Sequence, residues 1–287
     1  MADLILTGAS RGIGHALALA LAERRGDRLV LVARDRARLD ALAAAIEQKG
    51  GHAIAVPGDL SSLDGARALG QRLVETVTPG ATLIHNAGLW PSKRVLTPEG
   101  LEAAFVINHL APLVMQQPLL DAERLRRIML VSAGLIVKAR FDAARTPTGE
   151  DFSSIRTYCN TKLCLALAMR DIAAAYPAID VVVLHPGVVR TDLGARPGLL
   201  GWLLSRVKRS WEAPEVCAAR LARILARERW SPPGEARWLM EEQEQPWPAV
   251  AEVEATRRAV RGTTARLLAS TPQAPTFQLN GSVLGPD

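Results

Sequence analysis

The chain has 287 residues, and 48% of them are hydrophobic, which is enough for the core of one large α/β domain or two small ones. No apolar run reaches the roughly 18 residues of a membrane span, so no integral membrane segment is expected. The apolar N-terminal residues follow no basic stretch, which argues against a secretion signal. The three cysteines have no metal-ligand spacing, and their odd number argues against a disulfide framework. A cytoplasmic protein without a metal site is therefore expected.

A formal charge of +6 raises the question of nucleic-acid binding. The basic residues are mostly arginines scattered among Asp and Glu, as in residues 34–38, and aromatic residues make up only 4% of the chain. A solvated, arginine-rich surface explains this pattern better than a nucleic-acid interface does. The expected partner is thus a small-molecule substrate, and no nucleic acid.

A glycine-rich turn follows the first apolar run, residues 4–6, and an Ala- and Leu-rich helical pattern continues to about Arg25. This order of strand, turn and helix is the context of a dinucleotide-phosphate loop. Glycines let the backbone approach a pyrophosphate, and the helix N-terminus offers free N–H groups. The alternative is a turn that merely starts a helix. The candidate binding residues are Gly8, Ser10, Arg11, Gly12, Ile13 and Gly14.

Arg34 directly follows the second predicted strand, residues 29–33. In dinucleotide-binding folds the end of this strand meets the ribose 2′-position, where a carboxylate suits NAD and an arginine suits the 2′-phosphate of NADP. Ala33 provides no carboxylate, and Arg34 together with Arg11 could pair with a phosphate. The alternative is that both arginines simply face water. NADP(H) is expected ahead of NAD(H).

Further strands are predicted at residues 52–56, 81–85, 128–133 and 181–184, with helices between them. This alternation predicts a doubly wound parallel sheet with helices on both faces. Ligands bind at the carboxyl ends of such strands, so one cleft should collect the residues found there. They are Asp59, Leu60, Asn86, Ala87, Gly88, Ser132, Pro186 and Gly187. Asp59 could accept a hydrogen bond from an adenine amino group or only cap the next helix through Ser61 and Ser62.

Tyr158 and Lys162 are four residues apart and would share one face of a helix. A neighbouring cation stabilises a phenolate and lowers its pKa from about 10, which would make Tyr158 a proton donor and acceptor near neutral pH. Asn108 lies midway along a helix predicted over residues 101–115, where Asn is unfavourable. Its position indicates a kink, a functional carbonyl group or simply a solvent-facing side chain.

In order along the chain, from about residue 2 to 230, these motifs resemble the short-chain dehydrogenase/reductase family. The gap between Ser132 and Tyr158, preceded by Asn108-His109-Leu110, is similar to the retinol-dehydrogenase and carbonyl-reductase branch. The motifs are Thr7-Gly8-x-x-x-Gly12-x-Gly14, Asp59-Leu60, Asn86-Ala87-Gly88, Asn108, the Ser132 strand, Tyr158-x-x-x-Lys162 and Pro186-Gly187-x-Val189-x-Thr191.

The resemblance implies a single Rossmann domain over residues 1–268 and hydride transfer between NADP(H) and a carbonyl or secondary alcohol. Tyr158 would act as general acid and base. Lys162 would lower the pKa of Tyr158 and hold the nicotinamide ribose, and Asn108 would position a water in a proton relay. Val189 and Thr191 would bind the carboxamide.

The resemblance also implies a substrate lid over about residues 192–212. Its Leu and Trp residues, together with Trp90, favour a bulky apolar substrate. The alternatives are a core helix or shallow membrane contact through Trp202 with the basic residues Arg206, Lys208 and Arg209. Residues 230–248 predict irregular structure, and residues 269–287 predict a flexible tail.

Two positions depart from the family pattern. His85 replaces the first Asn of the usual Asn-Asn-Ala-Gly, and Ala133 replaces the Ser that usually contacts the substrate oxygen, leaving only Ser132 nearby. Loss of such a donor can cost on the order of 10²–10³ in rate. An NADP(H)-binding sensor or scaffold without turnover, or a non-redox dehydratase or cyclase that reuses Tyr158, therefore remains an alternative. The family often forms homodimers or homotetramers.

Overall fold

The structure is a computed structural model that describes residues 2–22, 26–190 and 211–270. Within these ranges, eight strands form one sheet. The strands are β1 (Ala2–Thr7), β2 (Asp27–Ala33), β3 (His52–Pro57), β4 (Ala81–His85), β5 (Leu125–Val131), β6 (Asp180–His185), β7 (Ala236–Met240) and β8 (Gln243–Gln245). Their order is β3-β2-β1-β4-β5-β6-β7-β8, and all neighbours are parallel except β7 and β8. The strand order reverses between β1 and β4, which is where sheets of this type bind ligands.

Helices cover both faces of the sheet. They are α1 (Gly12–Leu21), α2 (Arg36–Gln48), α3 (Leu63–Thr76), α4 (Ala103–Phe105), α5 (Ala111–Asp121), α6 (Ser154–Ala175), α7 (Pro214–Leu225), α8 (Ala249–Glu252) and α9 (Glu254–Ala269). One apolar core lies between the sheet and α3, α5 and α6, and a second lies between the sheet and α1, α2 and α7. The predicted doubly wound α/β fold is confirmed.

Burial on both faces explains why the inner strands are almost continuously apolar. Successive residues of a strand point to opposite sides of the sheet. In β6, Val181 and Val183 join the core under α6, whereas Val182 and Leu184 join the core under α7. No position along such a strand faces water, so the alternation of apolar and polar residues is lost.

The expectation of irregular structure over residues 230–248 is wrong, because β7 and β8 lie there. β7 pairs with β6 from Ala236 opposite Val181 to Met240 opposite His185, and the side chain of Trp238 is only 2% exposed. The neighbouring Pro and Glu residues obscure this short strand in the sequence. Pairing with β6, which is distant in the chain, supplies its order.

The helix predicted over residues 101–115 is interrupted. α4 ends at Phe105, a π-helical turn spans Val106–Leu110, and α5 follows. In this turn the N–H of Ala111 donates to the carbonyl oxygen of Val106, five residues back. The structure has one π-helical turn at Asn108, where the sequence suggested a kink.

Some expectations lie outside the described residues. They include Thr191, residues 192–210 of the expected lid with Trp202, Arg206, Lys208 and Arg209, and the expected tail from residue 271 onward. The first residue of that tail, Ala269, belongs to α9. Among the helices that are described, none is both long and apolar enough to cross a membrane.

Candidate active site

The turn between β1 and α1 packs backbone against backbone. Its φ angles are +71° at Gly8 and +56° at Gly12, a region that favours glycine. A Cβ atom on Gly8 would lie 2.9 Å from the Cα of Ala87. On Gly14 it would lie 2.6 Å from Nδ2 of Asn86 and would collide with the carbonyl oxygen of Gly8. Side chains are thus excluded where the turn meets the segment after β4.

Thr7, the last residue of β1, joins these two segments. Its hydroxyl donates to the carbonyl oxygen of Ile84 at 3.2 Å and accepts from the N–H groups of Asn86 and Ala87 at 3.0 and 3.1 Å. The Asn86 side-chain amide donates back to the Thr7 carbonyl oxygen at 2.9 Å. Asn86 therefore holds the glycine turn in place through hydrogen bonds to Thr7, and we call this turn the cradle.

A cavity of about 680 Å³ opens over this turn. Leu89, Ile107 and Arg38 line it although the sequence did not single them out. Of the described residues that the sequence predicted for the site, Gly14 and those after Gly88 in the chain do not line the cavity. The predicted cofactor residues that line the cavity are Gly8, Ser10, Arg11, Gly12, Ile13, Arg34, Asp59, Leu60, Asn86, Ala87 and Gly88.

Three arginines, Arg11, Arg34 and Arg38, line this cavity together with the carboxylate of Asp35. Asp35 caps α2 by accepting from the N–H of Arg38 at 3.1 Å, and it pairs with the Arg38 guanidinium at 3.1 Å. Its charge is therefore already matched by a neighbour. The positive charge of the remaining arginines suits a phosphate.

Asp59 stabilises the turn after β3. Its carboxylate accepts from the Ser61 N–H at 3.0 Å and from the Ser61 hydroxyl at 2.6 Å, while Ser62 caps α3 through the N–H of Gly65 at 3.1 Å. Ser62, and not Asp59, therefore caps α3. Asp59 orders the loop that leads to this helix. Asp59 still faces the cavity.

Asn108 uses its side chain to fix the loop after Gly88. Its Oδ1 accepts from the Leu89 N–H at 2.7 Å, and its Nδ2 donates to the Leu89 carbonyl oxygen at 2.7 Å and to the Thr161 hydroxyl at 3.0 Å. The side chain is buried, so the solvent-facing alternative is wrong. These contacts connect the π-helical turn, the cavity wall and α6.

The backbone carbonyl group of Asn108 also lacks its ordinary helical partner. In an α-helix it would accept from the N–H of residue 112, but that residue is Pro112, which has no N–H. π-helical turns inside α-helices are frequent at functional sites. The second suggestion from the sequence, a functional carbonyl, is compatible with this local geometry.

Lys162 is buried at the carboxyl end of β5. Its Nζ donates to the Val131 carbonyl oxygen at 3.0 Å and lies 3.1 Å from where a Cβ of Gly88 would be. Burial lowers the pKa of this amine from 10.5 to about 8. Burial likewise lowers the pKa of nearby His85 to about 4, and its Nε2 pairs with Oε1 of Gln116 at 2.8 Å. His85 is thus a neutral core residue where the family pattern has Asn.

Tyr158 lies flat against the indole of Trp90, with ring centroids 4.4 Å apart and an interplanar angle of 6°. The indole N–H donates to the Ser154 hydroxyl at 3.0 Å, and this hydroxyl donates to the Pro91 carbonyl oxygen at 2.6 Å. Tyr158 is only 5% exposed, and this burial raises the pKa of its hydroxyl above the usual value. The direction is opposite to the lowering by Lys162 that the sequence suggested, because loss of hydration dominates here.

Ser132 directly follows β5, and its hydroxyl is buried without a hydrogen-bond partner among the described residues. Its N–H continues the sheet by donating to the Leu184 carbonyl oxygen at 2.8 Å. Ala133 follows it and provides no donor. Beside them the His185 ring packs on Gly134, where a Cβ would lie 3.0 Å from its Cδ2. An unpaired hydroxyl is thus present one residue before the position at which the family usually has its substrate-binding serine.

Pro186 and Gly187 form the turn after β6, where φ of Gly187 is +97°. The Val189 side chain is buried in the core shared with α1 and α7, so only its backbone could face a ligand. These residues do not line the cavity described above. They follow the carboxyl end of β6, at the same edge of the sheet as the glycine turn after β1, and β6 lies three strands from β1.

The site fits a nicotinamide dinucleotide. The cradle excludes side chains, Arg11 makes no side-chain capping bond to α1, and the first N–H groups of that helix are available for phosphate. The arginines of the cavity add positive charge, and the Lys162 amine borders Gly88. In the part of the chain that is described, no cluster of side chains could hold a metal ion.

The family model described as short chain dehydrogenase matches residues 3–197. This chain belongs to the short-chain dehydrogenase family. Human retinol dehydrogenase 13 is 34% identical over 207 residues, which cover 69% of this chain and 62% of the relative. The chain therefore spans less than two thirds of that relative's length.

Two further comparisons agree with membership in the short-chain dehydrogenase family. A putative daunorubicin C-13 ketoreductase from Streptomyces sp. (strain C5) is 32% identical over 193 residues, which cover 67% of each chain. The crystal structure of a short chain dehydrogenase from Burkholderia cenocepacia J2315 in complex with NADP is 26% identical and has a TM-score of 0.63. That alignment covers 84% of this chain and 96% of the other.

Sequence reasoning left several residues of this chain out of the site. Thr7 and Pro112 carry recognisable signals, namely a hydroxyl at the end of β1 and a proline four residues after Asn108. Arg38 could have been noted on the first turn of α2. The stacking of Trp90 on Tyr158 has no local signal, because the two residues are 68 positions apart in the chain.

Proposed function

We propose that this protein is an NADP(H)-dependent oxidoreductase that interconverts a carbonyl group and a secondary alcohol. The observation that carries the proposal is the junction at Gly88. This residue lines the dinucleotide cavity and also borders the Lys162 amine and the Asn108 side chain, at 3.1 and 3.5 Å from where its Cβ would be. A proton-handling group and a cofactor site therefore share one wall.

The proposed roles of the side chains rest on this junction and on membership in the family. A bound nicotinamide would supply or accept the hydride. Tyr158 would give a proton to the substrate oxygen during reduction and take it back during oxidation. Lys162 would hold the nicotinamide ribose, and its charge would lower the pKa of Tyr158 from the value raised by burial. The carbonyl group of Asn108, whose usual helical donor is replaced by Pro112, would hold a water that passes protons to Lys162.

We infer a preference for NADP(H) over NAD(H). Arg11 and Arg34 line the cavity, Arg38 pairs with the Asp35 carboxylate there, and Ala33 leaves no carboxylate at the end of β2 to repel a 2′-phosphate. The relative from Burkholderia cenocepacia binds NADP. Thr191 and Val189 are proposed to contact the carboxamide.

A bulky apolar substrate is proposed because Trp90 forms an aromatic wall over Tyr158. Related chains are named retinol dehydrogenase and daunorubicin C-13 ketoreductase. The lid over residues 192–212, the single domain over 1–268, a cytoplasmic location and a homodimer or homotetramer remain predictions.

The test is a binding titration with NADPH and NADH, followed by absorbance at the nicotinamide band with bulky ketones, aldehydes and quinones. We expect tighter binding of NADPH and its oxidation by at least one compound. Tyr158→Phe is the matched control, since it should bind NADPH and not turn over. Equal turnover by this variant would remove Tyr158 as the acid.

Ala133 favours a second candidate, an NADP(H)-binding protein without turnover or a non-redox dehydratase or cyclase. The hydroxyl of Ser132 is the nearest replacement donor in sequence, and it is buried and unpaired among the described residues. Tight NADPH binding without oxidation across the panel would favour this candidate. Conversion of a substrate without a change in nicotinamide absorbance would select its non-redox form.

A further inference from the structure

A buried arginine on α7 holds the turn that follows β6. The side chain of Arg220 is 10% exposed. Its Nη1 donates to the Pro186 carbonyl oxygen at 2.7 Å and to Oε2 of Glu212 at 2.9 Å, and its Nη2 donates to Oε1 of Glu212 at 2.6 Å. Such a two-pronged contact fixes orientation as well as distance. The carbonyl group of the turn is thereby held by a rigid helix.

Gly187 shows how closely the guanidinium approaches this turn. A Cβ atom there would lie 3.0 Å from Nη1 of Arg220 and 3.3 Å from Oε2 of Glu212. The φ angle of +97° also favours glycine. The positive φ angle and the close approach of Arg220 both require glycine at this position. A side chain at residue 187 would displace the guanidinium.

Arg220 also reaches the segment that leaves the turn. The Glu212 N–H donates to the Val188 carbonyl oxygen at 3.0 Å, and the Arg190 N–H donates to the Glu212 carbonyl oxygen at 2.8 Å. Because Arg220 holds the Glu212 carboxylate, it fixes the pairing of residues 188–190 with residue 212. The backbone that follows the turn is therefore anchored to the same guanidinium.

The turn between β7 and β8 joins the same cluster. Oε2 of Glu241 lies 3.4 Å from Nη2 of Arg220, and the Glu241 N–H donates to the His185 carbonyl oxygen at 2.8 Å. The φ angle of Glu241 is +58°, which non-glycine residues rarely adopt. One guanidinium thus faces two carboxylates and a carbonyl group from three segments around residues 185–190.

We propose that Arg220 is a positioning residue that sets the nicotinamide end of the cofactor site through the Pro186–Gly187–Val188 turn without touching the cofactor. This inference rests on the proposed function, because that function places Val189 and Thr191, which follow the turn in the chain, at the nicotinamide carboxamide. The adenosine end lies at the glycine turn and Arg34, on the far side of β4 and β5 from this turn. Loss of Arg220 should therefore weaken binding of the whole dinucleotide and spare binding of its adenosine half.

The experiment compares the binding of NADPH with that of adenosine 2′,5′-bisphosphate in the full chain. In Arg220→Met we expect about tenfold weaker binding of NADPH, in line with the loss of one charged hydrogen bond, and binding of the bisphosphate within about twofold of wild type. Arg223→Met is the matched control. Arg223 lies on the same helix and makes the same kind of pair with Glu242, at 2.9 and 2.7 Å, on the surface. Its variant should bind both ligands normally.

A second variant separates positioning from folding. Arg220→Met leaves the Glu212 carboxylate without its cation, which could destabilise the chain. Arg220→Met combined with Glu212→Gln removes both charges of the pair. We expect this double variant to recover thermal stability and still bind NADPH about tenfold more weakly, because the Pro186 carbonyl group remains without its donor.

Unchanged NADPH affinity in both variants would overturn the inference, and so would an equal loss of affinity for the two ligands, which indicates a general structural role. Recovery of NADPH affinity together with stability in the double variant would also overturn it. If wild type itself fails to bind NADPH, the proposed function fails and the inference fails with it. Failure of the inference alone requires normal NADPH binding by wild type.

Discussion

The burial of Lys162 predicts a specific dependence of stability on pH. Its pKa falls from 10.5 to about 8 because the folded protein removes the ammonium from water. At about 1.36 kcal/mol per pKa unit, this difference corresponds to about 3 kcal/mol of cost for burying the charged form. The cost is fully present below pH 8, where the amine is protonated in both the folded and the unfolded chain.

The sign follows from proton counting. Between about pH 8 and 10.5 the folded chain has released this proton and the unfolded chain still binds it, so the contribution of Lys162 to the free energy of unfolding rises with pH. Burial raises the pKa of the Cys159, Cys164 and Cys217 thiols and of the Tyr158 hydroxyl, which lowers stability in the upper part of this range because only the unfolded chain ionises. The net slope of wild type alone is therefore ambiguous.

The assay is urea unfolding of wild type and Lys162→Met, without cofactor, from about pH 7 to 10.5. Loss of the hydrogen bond to Val131 is a constant offset, and the cysteine and tyrosine contributions cancel in the difference. We expect the wild-type free energy of unfolding to gain about 3 kcal/mol over Lys162→Met across this range. Lys93→Met, which removes an exposed amine, should follow wild type. A difference that does not change with pH would refute a buried amine with a lowered pKa.

Four further substitutions test the proposed roles. Tyr158→Phe should lower kcat by about 10²–10⁴ while NADPH affinity, measured by fluorescence, stays near wild type; substantial remaining turnover would contradict its role as the acid. Trp90→Ala should expose Tyr158, lower the pKa of its hydroxyl and move the alkaline limit of the pH profile of kcat to lower pH. Trp90→Phe is the control and should retain most of the stacking. Coincident pH profiles for wild type and the two variants would contradict this. Arg34→Ala should weaken NADPH about tenfold and leave NADH almost unchanged in the same titration, and equal losses would rule out the 2′-phosphate contact. Ala133→Ser should fold normally and raise carbonyl reduction by up to about 10², and a clear loss of rate would mean that the small residue serves the chemistry of this enzyme.

The fold, the glycine turn and the shared helix face of Tyr158 and Lys162 could be predicted from local patterns. Apolar runs ending in Thr7-Gly8 and His85-Asn86 identify strands whose ends must meet at one edge of a parallel sheet. The glycine spacing excludes side chains wherever it occurs, so the cradle follows from the sequence. Tyr158 and Lys162 share a helix face because of helical periodicity alone. These inferences depend on neighbours within a few residues.

The sequence could not predict what depends on the assembled sheet. β7 in residues 230–248 acquires its order from pairing with β6, and its own composition resembles a loop. Burial reverses the expected direction of the Tyr158 pKa, and Trp90 reaches the Tyr158 ring from the segment after another strand. The Arg220 cluster likewise joins segments that are adjacent only after β6 and β7 pair.

By itself, then, the sequence determined the sheet, the phosphate cradle and the shared helix face of Tyr158 and Lys162, because these follow from periodicity and backbone sterics. The tertiary structure alone decided how deeply Lys162 is buried, which aromatic ring covers Tyr158 and which cation holds Pro186. The physical reason is that desolvation, stacking and buried ion pairing depend on groups brought together across the chain. Local sequence does not encode the distances between such groups.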